Sequence, residues 1–282
     1  GIEAESGGEV FTVYGDQIIV SSGAVASPQL LMLSGVGPAA HLAEMGIGLV
    51  HDMPGVGQNL RDHPAAFVLL KGIGDPPDED APNIQLGLRF SNPGSPTRAD
   101  FQLSPILMSS EHRPSSVQID NDDFHFGLSV ALQNATSAGQ LRLTSTDPRV
   151  QPDLNYDYLS DPDDRARMRE ALRLALSIAG HPSFSGMVVE RLNPTDEDLA
   201  SDDALDNWML RNAYTQHHTS GTCKMGDASD PMAVVDQYSH VHGMQNLRVV
   251  DASIMPDVIR ANTNATSIMI GERATDLIKE SL

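Results

Sequence analysis

Residues 17–37, Gln-Ile-Ile-Val-Ser-Ser-Gly-Ala-Val-Ala-Ser-Pro-Gln-Leu-Leu-Met-Leu-Ser-Gly-Val-Gly, pass from a β-branched run into an apolar run opened by proline, and stop at glycines. That order predicts a strand over 17–22 and a short helix from Ser27, with serine at the N-cap and Pro28 in the first turn. Gly35-Val36-Gly37-Pro38-Ala39-Ala40 matches the dinucleotide fingerprint GxGxxA. The fingerprint needs a preceding strand, however, and here the preceding residues continue a helix, so the glycines read as a structural loop.

Toward the N-terminus, residues 10–14 (VFTVY) form a second strand pattern, with turn signals at Gly7-Gly8 and Gly15-Asp16. The sequence opens at Gly1 inside this strand–turn–strand pattern, which leads us to expect a piece of a longer polypeptide. Toward the C-terminus, 39–46 reads as a short helix ended by glycine, and 52–64 as a long Gly/Pro/Asn-rich loop of the kind that carries function. From 65 to 150 the pattern is strands, at 65–73, 83–91, 100–108, 124–133 and 139–145, separated as in an antiparallel sheet. Residues 160–180 are the clearest helix, with Ser160 or Asp161 as cap and Met168, Leu172, Leu176 and Ala179 on one face. A second helix spans 201–212, a short apolar strand 246–250, and a terminal helix 266–280 capped by Thr266 or Ser267. The fold class is α+β, in which a β/α piece at each end brackets a sheet-plus-helix unit.

The 282 residues suggest about two domains. Eighteen Lys and Arg against thirty-eight Asp and Glu give a net charge of −20, which argues against nucleic-acid partners and anionic membrane surfaces. A single cysteine, Cys223, rules out an intrachain disulfide and a cysteine-built zinc or iron–sulfur site. No apolar run reaches the length of a membrane span.

Two stretches carry candidate chemistry. In Gln216-His217-His218-Thr219-Ser220-Gly221, adjacent histidines point apart in an extended segment, so no metal site is expected. One of them is either a general base, imidazole being the side chain that titrates nearest neutrality, or a satisfied structural residue. Asp251-Ala252-Ser253 and Asn262-Thr263-Asn264-Ala265 place small residues and amides ahead of a helix N-terminus. That arrangement suits a phosphate or an anionic ring, or is simply a capped loop.

Four blocks together resemble the glucose–methanol–choline (GMC) oxidoreductases, FAD-dependent enzymes that oxidise alcohols. They are Gly23 through Gly37, Pro54 through Pro64, Leu141 through Pro162, and the pair His218–Gly226 with Asp251 onward. The resemblance implies a C-terminal half. Residues 1–64 would be the closing part of a Rossmann-like FAD-binding domain, 65–215 a substrate domain of antiparallel sheet backed by helices, and 216–282 the catalytic block and the return to the FAD domain. The partner would be an N-terminal half with a βαβ unit carrying GxGxxG, and the location cytoplasmic. His218 would accept the hydroxyl proton while hydride passes to flavin N5, and Asn262, 44 residues on, would hold the substrate oxygen. Protonated His218 and the helix end at Thr263, Asn264 and Ala265 would stabilise the reduced flavin. Asp251 and Ala252 would contact its diphosphate–ribityl portion, and Ser22 would lie near adenine. Alternatives on the same resemblance are a hydroxynitrile lyase, which keeps FAD bound without cycling it, and a non-catalytic subunit.

Overall fold

The computed structural model describes residues 1–74, 82, 84, 86–92, 95, 97–108 and 124–280. In chain order the elements begin with β1 (Ile2–Ser6), β2 (Glu9–Val13), β3 (Ile18–Val20), α1 (Gly23–Leu33), β4 (Val36–Gly37), α2 (Ala39–Glu44), β5 (His51–Asp52) and β6 (Gln58–Leu60). There follow β7 (Pro64–Gly72), β8 (Leu88–Phe90), β9 (Phe101–Met108), β10 (His125–Leu132), β11 (Gly139–Arg142) and β12 (Asp153–Asn155). The last are α3 (Pro162–Ala179), β13 (Val188–Asn193), α4 (Asp202–Asn212), β14 (Tyr214–Thr215), β15 (Leu247–Val249) and α5 (Asn264–Glu280). They form two compact units.

The first unit comprises Gly1–Asp62, Ala138–Asp157 and His218–Leu282. β3 pairs in parallel with β15, β4 in parallel with β5, and β6, β11 and β12 make a three-stranded antiparallel sheet. Leu31, Met32, Leu42, Val56, Leu141 and Val249 are buried in its core. The helix expected from Ser27 begins instead at Gly23, which leaves Pro28 inside it. Pro28 has no N–H to offer the carbonyl of Ala24 one turn back, a defect that ordinarily breaks a helix. Here the Thr222 hydroxyl donates to that carbonyl at 2.6 Å. The loop glycines are structural: Gly35 has φ +81°, and a Cβ there would lie 2.4 Å from the carbonyl of Gly48. No side chain fits that approach.

The second unit comprises His63–Ser137 and Tyr158–His217. Its antiparallel sheet runs β13-β7-β10-β9-β8, with β14 also on β7. All eight residues of the central strand β10 are buried, which is why its sequence does not alternate. Met168, Ala171, Leu172 and Ala175 of α3 and Leu205, Trp208 and Met209 of α4 pack in the same core as Val68 and Leu128 of the sheet. Asp161 caps α3 by accepting from the Asp163 N–H. Asp164, fully buried, accepts from the Thr136 and Ser137 N–H groups and pairs with Arg167 at 2.6 Å.

Three further expectations differ. β11, within the expected substrate domain of 65–215, belongs with residues 138–157 to the first unit, because its two edges pair with β6 and β12 and Leu141 and Leu143 enter that core. α5 starts at Asn264, so Thr266 and Ser267 lie inside it rather than capping it. The strand expected over 83–91 is Leu88–Phe90 among the described residues; 83 and 85 lie outside them. β13, with Val188, Glu190 and Asn193 paired to β7, was not legible as a strand because only its first two residues are β-branched.

Candidate active site

Three segments of the first unit converge. Beyond β6, Arg61 and Ser220 exchange two backbone hydrogen bonds, each 2.9 Å. The buried carboxylate of Asp62 accepts from the backbone N–H of His218 at 3.0 Å. Downstream, the N–H groups of Gly221, Cys223 and Met225 donate to the carbonyls of Ala252, Ser253 and Ile254 at 3.2, 2.8 and 2.8 Å. This ladder lays the histidine segment along the one that leads into α5.

The result is a side-chain pair: the Asn262 amide nitrogen stands 3.0 Å from Nε2 of His218. With an amide N–H facing it, Nε2 is the accepting nitrogen of the imidazole and keeps its lone pair toward Asn262. His218 is half-buried and Asn262 exposed, so the pair is open to a small molecule. His217 lies in the left-handed region at φ +60°, its N–H bonded to the Thr215 hydroxyl. Among the described residues no group of three His, Cys, Asp or Glu side chains could hold a metal ion, and no helix is long and apolar enough to cross a membrane.

Thr263, Asn264 and Ala265 follow directly, with Asn264 opening α5 and Asn264 and Ala265 exposed. The N–H groups of a helix's first turn have no partner within the helix and carry its positive dipole end. This end begins two residues beyond Asn262, beside the pair, and suits an anionic ring. Ser22, Asp251 and Ala252 form a second cluster at the start of α1. Asp251, expected to contact the cofactor, already has three donors: the Gly23 N–H at 2.9 Å, the Ser27 hydroxyl at 2.5 Å and the Ser253 N–H at 2.8 Å. Its carboxylate can only accept, and here it accepts from the first N–H of α1. What the cluster offers outward is the exposed Ser22 and half-buried Ala252. The turn at Ala252–Ile254 packs on both α1 and α5 and joins the two clusters. Donors at both, with the Asp251 carboxylate turned to donors of its own chain, fit FAD. Sequence reasoning missed Asn59, Arg61 and Asp62 individually; the signal available was the functional character of the 52–64 loop.

Two family profiles described as GMC oxidoreductase match residues 1–65 and 135–271. An oxygen-dependent choline dehydrogenase of Photobacterium profundum is 32% identical over 99% of this chain and 52% of its own length. One from Ectopseudomonas mendocina is 37% identical over 94% of this chain and 50% of its length. Among solved structures, pyridoxine 4-oxidase from Mesorbium loti superposes with a TM-score of 0.87 at 28% identity, over 96% of this chain and 53% of that one. A formate oxidase of Aspergillus oryzae, from work on FAD modification, superposes at 0.82 and 26% identity, over 94% and 54% of the two chains. The chain thus spans about half the length of the curated relatives it matches.

Proposed function

The chain belongs to the GMC oxidoreductase family, and from that premise we propose that it carries the proton acceptor and the oxygen-binding amide of an FAD-dependent oxidoreductase acting on the CH–OH group of an alcohol. The observation that carries this reading is the 3.0 Å pair of His218 Nε2 and Asn262 Nδ2. An alcohol hydroxyl that displaces this direct hydrogen bond donates to Nε2 and accepts from Nδ2. His218 takes the proton as a general base, and Asn262 holds the oxygen while the C–O bond becomes a carbonyl. FAD, when bound, supplies the acceptor for the hydride that leaves the carbon. Its ring would be held by the α5 end at Thr263, Asn264 and Ala265, and its remainder by Ser22 and the backbone of Ala252. Imidazolium formed at His218, together with the α5 dipole, favours negative charge on that ring. The 282 residues contain no GxGxxG and the relatives are about twice as long, so we assign the cofactor's ADP portion to an N-terminal half carrying that motif.

His218→Ala is expected to lower kcat for alcohol oxidation by about 100-fold or more. Near-normal turnover refutes the assignment. Anaerobic addition of alcohol should bleach the flavin absorbance; a lyase would leave it coloured. The names of the curated relatives make choline the first alcohol to try, and that of the pyridoxine 4-oxidase structure makes pyridoxine the second.

A further inference from the structure

Asn59 sits just inside β6 at φ +56°, a left-handed conformation that asparagine and aspartate adopt more readily than most residues. Its side chain is used at both ends. The amide nitrogen donates to the carbonyls of Gly221 at 3.2 Å and Pro256 at 3.3 Å, and the amide oxygen accepts from Arg61 Nε at 2.9 Å. The same guanidinium lies 3.6 Å from the Asp257 carboxylate. Gly221 comes three residues after His218, and Pro256 six before Asn262. The approach is close: a Cβ at Gly221 would stand 2.6 Å from the Asn59 carbonyl and 2.8 Å from its amide nitrogen.

We infer that Asn59 is a positioning residue that sets the spacing of His218 and Asn262, by holding the loops that carry them on one primary amide. The inference rests on the reading of that pair as the reacting groups. Only a primary amide at this reach gives one N–H to each carbonyl while its oxygen takes the arginine. Aspartate has the same shape and keeps the Arg61 contact, but has no N–H for either loop. Arg61 reinforces the arrangement, since its backbone bridges Ser220 and its side chain reaches Asp257.

The test is Asn59→Asp in the flavin-loaded full-length enzyme, a substitution that retains the backbone conformation. Loosened placement should lower kcat about 10- to 100-fold, with KM changed less than about threefold. In an Asn262→Ala background the same substitution should cost less than about twofold more, because a spacing has no meaning once one partner is gone. Wild-type kcat, or an equal loss in both backgrounds, overturns the inference. A crystal structure of the variant judges it independently of activity: the His218–Asn262 separation should exceed about 3.5 Å, beyond hydrogen-bond reach. A retained contact overturns it. If His218→Ala alone leaves activity intact, the proposed function fails, while the measured separation still decides the role of Asn59.

Discussion

The imidazole of His218 meets the amide of Asn262 across 44 residues because a backbone ladder, tied by the side chains of Asp62 and Asn59, brings them there. Gly221, Cys223 and Met225 donate in turn to Ala252, Ser253 and Ile254, and the Asp62 carboxylate fixes the His218 N–H. Asp251 follows the capped-loop alternative that its sequence context offered. A carboxylate after a strand and before small residues reads as a ligand or as a cap, and three donors from its own chain are bound to it. Asp251→Asn replaces an acceptor with a donor facing other donors. Hydrogen bonds to a charged group contribute about 1.5–3 kcal/mol, so the variant should lose stability of that order. A urea titration checks it, with a lowered midpoint at unchanged slope expected.

Among the elements, α1 is the one whose sequence and structure disagree most usefully. Proline after serine reads as a helix start, since the first turn needs no internal donors. The helix starts four residues earlier because Thr222, distant in sequence, supplies the hydrogen bond that Pro28 cannot give to Ala24. Thr222→Val should therefore destabilise the protein by about 1–3 kcal/mol, the cost of leaving a buried carbonyl without a donor. In a Pro28→Ala background residue 28 regains its N–H and the same change should cost markedly less. Equal costs in the two backgrounds, read by thermal unfolding, would show that the hydroxyl does not compensate the proline. By contrast α3 and α4 were fully legible, because cap, acidic first turn and apolar face all lie within each segment.

At the level of the whole molecule, the first unit gathers residues from three separated stretches, while the second holds its own sheet and two helices. Its parallel β3–β15 pair is only two strands wide, and Ile19 in it is 43% exposed. Parallel sheets ordinarily occur with both faces covered. The 282-residue chain expressed alone should accordingly retain no FAD, and co-expression with an N-terminal half carrying GxGxxG should restore it; absorbance near the flavin bands reads both. Stoichiometric flavin on the chain alone would contradict the division of the cofactor proposed above. The sequence by itself determined the α+β class, the helices at 162–179 and 202–212, and the family blocks that single out His218 and Asn262. These depend on periodicity, caps and short motifs, which are local. Only the tertiary structure decided that 138–157 joins the first unit, that Asp251 caps α1, and that Asn59 ties the two loops. Each of these is a hydrogen bond or strand pairing between distant segments, and a donor's partner is fixed by where the chain brings an acceptor, not by its neighbours in sequence.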